Sequence, residues 1–312
     1  MSNSLKRVFW TEADIPDIRG RHFVVTGGNS GLGFENVRAL ATKGATVTLA
    51  CRNLEKGKDA RDAITKEFGK VEIDVRELDL SSLTSIRDFA AHLSSSPIDV
   101  LINNAGVMAT PKLHTADGFE LQIGTNHLGH FALTAHLWSG LMKAEAPRVV
   151  TVSSNMHKLG KINWDDMMSE KKYSPWNSYG QSKLANLLFA LELDRRAKAK
   201  KLTNFKSIAA HPGYSATNLS LSATQKAPSF MQSISRSVEK IIAQQARMGA
   251  LPQLYAATSL EVPSGAYVGP DGFGEWRGHP KLVNASKNAK SESDASKLWT
   301  MSEILTKVDF PI

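Results

Sequence analysis

Thr26-Gly27-Gly28-Asn29-Ser30-Gly31-Leu32-Gly33 closes the short apolar run Arg21–Thr26 and opens Gly31 to Lys43, whose spacing fits a helix. A strand that enters a helix through glycines brings backbone close to an anion. The helix N–H groups then meet that charge directly. The spacing Thr26-Gly27-x3-Gly31-x-Gly33 differs from the G-x-G-x-x-G pattern but asks for the same geometry. It predicts a dinucleotide at the N-terminal end of the chain, with Gly27, Asn29, Ser30, Gly31, Leu32 and Gly33 around its pyrophosphate.

Outward from that turn, strands and helices alternate. Ala45–Cys51, Glu72–Leu78, Asp99–Ile102, Arg148–Ser153, Phe205–Ala210 and Gly265–Val268 read as further strands. Leu54–Phe68, a segment ending near Leu93, a long helix over Asp117–Lys143 and Pro175–Lys200 read as helices between them. Alternation of this kind predicts right-handed crossovers and a parallel sheet covered on both faces. The expected fold is α/β: a single-domain, doubly wound Rossmann-type sheet of about seven strands, with a helical substrate lid. Its ligand crevice lies at the carboxyl ends of the strands. Gly27, Arg52, Asp79, Asn104 and Ser153/Ser154 all fall at such ends.

The whole chain, 1–312, is read as one domain, with an N-terminal extension over 1–20, a lid over 217–250 and a polar tail over 284–312 ending in a surface helix. At 312 residues, 42% hydrophobic and 22% charged, the composition is that of an ordinary globular protein. The net charge of +8 is dispersed. Its densest cluster, Arg195 to Lys201, sits at a predicted helix C-terminus, where basic residues complement the dipole. No nucleic-acid motif accompanies it, and no nucleic-acid partner is expected. The single cysteine, Cys51, excludes an intramolecular disulfide and reads as a small, largely buried residue. No apolar stretch reaches the 18 residues of a membrane span, and Met1 to Gly20 has no signal-peptide core. The expectation is a soluble cytoplasmic protein without a membrane span.

The residue after strand two selects the nucleotide. An acid there would bind a ribose 2′-hydroxyl; an arginine would pair with a 2′-phosphate. This chain has Arg52, with Lys56 one helical turn on, and NADP(H) is the predicted cofactor. Asp79 and Leu80 close strand three where an adenine ring would lie, and Asn104, Ala105 and Gly106 bring backbone near the ribose. Tyr179 and Lys183 stand four apart in Tyr179-Gly180-Gln181-Ser182-Lys183, on one helix face. A lysine so placed favours the phenolate, and is expected to lower the tyrosine from its ordinary value of about 10. A tuned proton carrier beside a hydride carrier makes an alcohol/carbonyl oxidoreductase.

Seven motifs in order resemble the short-chain dehydrogenase/reductase family: TGGNSGLG at 26–33, DL at 79–80, NNAG at 103–106, NHLGH at 126–130, VSS at 152–154, YGQSK at 179–183 and HPGYSAT at 211–217. ACR at 50–52, NHLGH and the opening WTEADIPDIRG are most similar to its retinol-dehydrogenase-like branch, near the WW-domain oxidoreductase and protochlorophyllide reductase. The resemblance implies a catalytic tetrad of Asn126, Ser154, Tyr179 and Lys183. Tyr179 would pass the proton, Lys183 would bond the nicotinamide ribose, and Ser154 would donate to the substrate oxygen. Asn126 would hold a water linking Lys183 to solvent. Ser153 competes with Ser154, and the family pattern matches the second. Pro212, Gly213 and Thr217 match the family's PGxxxT around the nicotinamide carboxamide.

The substrate is expected to be an apolar or bulky alcohol, aldehyde or ketone, with Met156, His157, Trp176, Tyr214 and Leu219 as candidate lining residues. No histidine pair has metal-ligand spacing, and no metal is expected. Trp138 and Phe131 read as core. Two rival readings stand: reduction of an activated C=C bond, and a non-catalytic NADP(H) sensor. The family makes a homo-oligomer an expectation.

Overall fold

The computed structural model describes residues 9–93, 95–214 and 246–312. Eight strands form one sheet: β1 (His22–Thr26), β2 (Thr46–Cys51), β3 (Glu72–Glu77), β4 (Val100–Asn103), β5 (Arg148–Val152), β6 (Lys206–Ala210), β7 (Tyr267–Pro270) and β8 (Pro280–Leu282). Their order is β3-β2-β1-β4-β5-β6-β7-β8. All pairings are parallel except β7 with β8, where Gly269 opposes Lys281. The sequence reading stopped at seven strands because β8 is short and two of its three residues are exposed, so it carries no apolar run.

The central strands are buried along their lengths, as a sheet covered on both faces requires. One face is covered by α1 (Gly31–Thr42), α2 (Leu54–Phe68) and α8 (Ala246–Thr258), through Val37, Leu40, Ile64 and Leu254. The other carries α3 (Leu83–Leu93), the segment Leu121–Leu141, α7 (Pro175–Ala199) and α9 (Glu292–Thr306). The strand reversal between β1 and β4 opens the crevice where Gly27 meets Ala105, the place such folds use for ligands.

Two expectations are corrected, and a third lies mostly outside the described residues. The single long helix predicted over Asp117–Lys143 is broken into α4 (Leu121–Ile123), a π-turn (Gly124–Leu128), α5 (Gly129–His136) and α6 (Trp138–Leu141). The π-turn contains Asn126, and such widened turns gather at functional sites. The C-terminal tail is not a surface appendage. Leu298 and Trp299 of α9 are buried, and Trp299 packs edge-on to Phe131 at 5.2 Å and stacks on Phe189. Of the lid placed at 217–250, residues 246–250 begin α8, with Gly249 and Ala250 buried; the remainder lies outside or at the edge of the described residues.

Trp138 and Phe131 are core residues, as expected. The basic run at the end of α7 is spent on its own helix: Arg196 pairs with Glu192 at 2.8 Å and Lys198 with Asp194 at 2.7 Å. No helix among the described residues is long and apolar enough to cross a membrane.

Candidate active site

The glycine turn takes the shape its composition asks for. Gly27 and Gly31 have φ of +66° and +55°, the left-handed region where a side chain is strained. A Cβ on Gly33 would lie 2.2 Å from Gly27 O, so α1 starts pressed against the turn. Ser30 stands at the N-cap without giving its hydroxyl to a cap bond. The first N–H groups of this 12-residue helix thus keep no side-chain cap. That cradle fits a dinucleotide pyrophosphate.

An open cleft of about 420 Å³ lies beside the turn, lined by Asn29, Ser30, Phe34, Lys56, Asp59 and Ala60. Arg52 follows β2 as an exposed side chain and makes no ion pair among the described residues. Asp79 is half-buried; its Oδ1 accepts from Ser81 N at 2.9 Å and from Ser81 Oγ at 2.6 Å, shaping the loop after β3. Leu80 is buried. Asn104 is tied back to β1, its Nδ2 donating to Thr26 O at 2.7 Å, so β1 and β4 end in register at the crevice.

Tyr179 and Lys183 come from the second and third turns of α7, with Pro175 at its start. Lys183 is buried, and its Nζ donates to Val152 O at 3.1 Å, at the end of β5. Nζ lies 5.8 Å from the Tyr179 ring centre. The Ser154 side chain acts on the phenol and favours its charged form. Burial pushes the phenol up to about 12, with Ser154 pulling the other way, and burial brings Lys183 down to about 8. The expectation that Lys183 draws the tyrosine towards neutrality is therefore corrected. Both groups lose water, and for each the loss disfavours its charged form.

The two serines diverge as adjacent residues of extended chain do, just past the end of β5. Ser153 is buried and its Oγ donates to Lys183 O at 2.8 Å, bracing α7 against β5. Ser154 turns to Tyr179; its Oγ also accepts from Met156 N at 3.2 Å, capping the short turn Asn155–Lys158.

Asn126 lies close to Lys183 but its side chain is fully engaged. Its Nδ2 donates to Val107 O and to Ser182 Oγ, each at 2.9 Å, and its Oδ1 accepts from Val107 N at 2.8 Å. The amide clamps α7 and the loop after β4 to the π-turn, so the water-holding role expected of it does not fall to its side chain. A Cβ on Gly106 would approach Asn126 Oδ1 to 3.0 Å and Lys183 Nζ to 3.5 Å. Glycine there keeps room beside the ammonium, which fits a ribose.

Of the residues expected to line the substrate, two sit at the mouth. Trp176 is 49% exposed and meets the Tyr179 ring edge-on at 6.4 Å. Met156 is half-buried just after Ser154. His157 is corrected: it is wholly buried, its Nδ1 donating to Ser154 O at 2.7 Å while Nε2 accepts from Ser286 N at 3.3 Å. It holds the serine loop from behind. Tyr214 is exposed, its N–H donating to Trp276 O at 2.8 Å. Gly213 takes φ +73° beside His211, whose Nε2 stands 3.1 Å from Glu275 Oε2. That contact holds the Glu275 carboxyl down at about 2. Pro212 precedes this turn; Thr217 and Leu219 lie outside the described residues.

Sequence reasoning missed one hub. Gln122 is buried: its Oε1 accepts from Ala109 N at 2.8 Å, and its Nε2 donates to Tyr173 OH at 3.0 Å and Pro175 O at 2.9 Å. It binds the loop after β4, where Ala109 has φ +49°, to the start of α7. Its spacing of four residues before Asn126 was the available sign.

The chain is similar to known proteins along most of its length. Residues 21–228 match the short chain dehydrogenase family. Human retinol dehydrogenase 14 is 39% identical over 306 residues, covering 92% of this chain and 87% of that protein. Human retinol dehydrogenase 12 is also 39% identical, covering 91% and 85%. The crystal structure of an uncharacterised protein from Mycobacterium paratuberculosis superposes with a TM-score of 0.82 at 46% identity, over 98% of this chain and all of that one. The chain therefore belongs to the short chain dehydrogenase family, as an oxidoreductase of its retinol-dehydrogenase-like branch.

Proposed function

We propose that the chain is an NADP(H)-dependent oxidoreductase that interconverts an apolar or bulky alcohol with its aldehyde or ketone. The observation that carries this is the joined set Ser154, Tyr179 and Lys183 at the end of β5, beside the glycine turn. The nicotinamide supplies or takes up the hydride when bound. Tyr179 moves the proton: burial keeps its phenol protonated at neutral pH, the form that donates to a carbonyl oxygen. Ser154 donates to the same oxygen and stabilises the charge that develops there. Lys183, with two ammonium protons beyond the one given to Val152 O, bonds the nicotinamide ribose in the space Gly106 leaves. Asn126 sets α7 and the loop after β4.

The glycine turn from Gly27 to Gly33, with Asn29, Ser30 and Leu32, holds the pyrophosphate. Asp79 and Leu80 receive the adenine, and Asn104, Ala105 and Gly106 receive the ribose. Arg52, unpaired and exposed, reads the 2′-phosphate, with Lys56 in the adjoining cleft. Pro212, Gly213 and Thr217 flank the carboxamide. Trp176 and Met156 form the apolar rim, and the names of the relatives make retinoid alcohols and aldehydes the first substrates to try. The test is an NADPH-consumption screen over aldehydes, ketones, quinones and retinoids, with products identified by mass and NMR. A reduced C=C bond, or no turnover with any of them, rejects the reading.

A further inference from the structure

His130 lies on α5, one helical turn after the catalytic-site asparagine, and is 1% exposed. Its Nδ1 is 2.9 Å from Asn126 O, and its Nε2 is 2.9 Å from Thr26 Oγ1. Thr26 is itself wholly buried at the end of β1, where the glycine turn starts. Its hydroxyl oxygen accepts from Asn104 N and from Ala105 N, each at 2.9 Å. One buried hydroxyl therefore joins the nucleotide turn, the loop after β4 and the π-turn.

The protons in this chain of bonds can be placed by counting. Asn126 O is a carbonyl and only accepts, so His130 Nδ1 carries a proton. Both acceptor positions of the Thr26 hydroxyl are taken by backbone N–H groups, so its one proton goes to His130 Nε2 or to Ile102 O. Ile102 O is 3.4 Å away, against 2.9 Å for the ring nitrogen. Nε2 is thus bare and accepting. An imidazolium would set a second proton against the hydroxyl proton, in a place closed to bulk solvent. Burial, and to a smaller degree the charge of Lys183, hold the ring neutral against the opposing pull of the bond to Asn126 O.

We propose that His130, neutral and protonated on Nδ1, is a positioning residue. It locks the nucleotide turn and the loop after β4, through Thr26, to the π-turn that presents Asn126. Only a neutral imidazole offers a rigid donor on one edge and an acceptor on the other. The proposal rests on the functional reading above and adds a residue that touches neither substrate nor nucleotide.

The test begins without turnover. ¹⁵N-labelled wild-type protein at pH 7 is examined for the histidine ring nitrogens, with His130 assigned by the signal lost in His130→Asn. A protonated Nδ1 and bare Nε2 are expected; the opposite tautomer or an imidazolium overturns the proposal. Two variants follow, each checked for folding by circular dichroism, with NADPH affinity read from tryptophan fluorescence and turnover measured alongside. His130→Leu loses both bonds and is expected to weaken NADPH and to lower kcat by up to about 100-fold. His130→Asn restores a donor to Asn126 O, and most of kcat should return while NADPH affinity stays weakened. Equal kcat losses in the two variants, or none in either, overturn the proposal. Failure of the functional reading looks different: wild-type protein that binds no NADPH, with the ring nitrogens still readable in the same sample.

Discussion

Ser154 acts on the Tyr179 phenol across 25 positions of sequence, favouring its charged form, while Ser153 is turned away onto Lys183 O at 2.8 Å. The extended backbone just past β5 makes that choice, since adjacent residues there face opposite sides. Ser154→Ala should lower kcat by roughly 100-fold or more, as loss of an oxyanion donor does. Ser153→Ala should act on stability instead, by about 1 kcal/mol for one buried hydrogen bond. Steady-state kinetics and thermal melts on both variants decide it; equal kcat losses would mean the wrong serine was chosen.

Tyr179→Phe should keep the fold and the NADPH affinity while turnover falls by about 100-fold or more. The phenol is buried, and its loss removes one hydroxyl and little packing. Undiminished turnover would reject the tyrosine as the proton carrier.

Arg52 is exposed and follows β2 directly, so Arg52→Asp should leave thermal stability within about 0.5 kcal/mol. NADPH affinity should fall by about 10- to 100-fold, from the loss of one charge-assisted bond and its replacement by a repelling carboxylate. NADH affinity should hold or rise. Fluorescence titrations with both nucleotides check this, and parallel losses would show that Arg52 does not read the phosphate.

Burial lowers His127 from 6.5 to about 3 and His130 and His157 each to about 4, and it brings His136 and His211 below their usual value too. The unfolded chain binds protons at these positions between about pH 6.5 and 4, and the folded chain does not. Stability is therefore fully present above pH 6.5 and is lost as the pH falls towards 4. A melting temperature that drops steadily from pH 7 to pH 4.5 is expected in a buffer series. A flat profile over that window would contradict the buried, neutral rings.

Trp299→Ala should cost about 3–5 kcal/mol, because the indole fills the space between Phe131, Phe189 and Phe310. Chemical denaturation measures it. A cost under about 1 kcal/mol would fit the surface helix that the polar tail suggests, and would go against the packing described.

The sequence alone determined the doubly wound sheet, the glycine turn, the Tyr179/Lys183 pair and the family. Each of these is written in local spacing: strand, turn and helix follow within a few residues, and an i,i+4 pair shares a face whatever surrounds it. What burial does to those groups was decided by the tertiary structure. Desolvation acts through neighbours distant in the chain, so the sequence pointed to a lowered phenol where packing raises it to about 12. The same distance hid three other assignments. His157 reads as a rim residue until Ser286 is found behind it, α9 reads as a surface helix until Trp299 meets Phe131, and the clamp that Asn126 makes to Val107 and Ser182 has no sign in the sequence. Hydrogen-bond saturation and close packing are properties of the folded neighbourhood, and no window of sequence contains it.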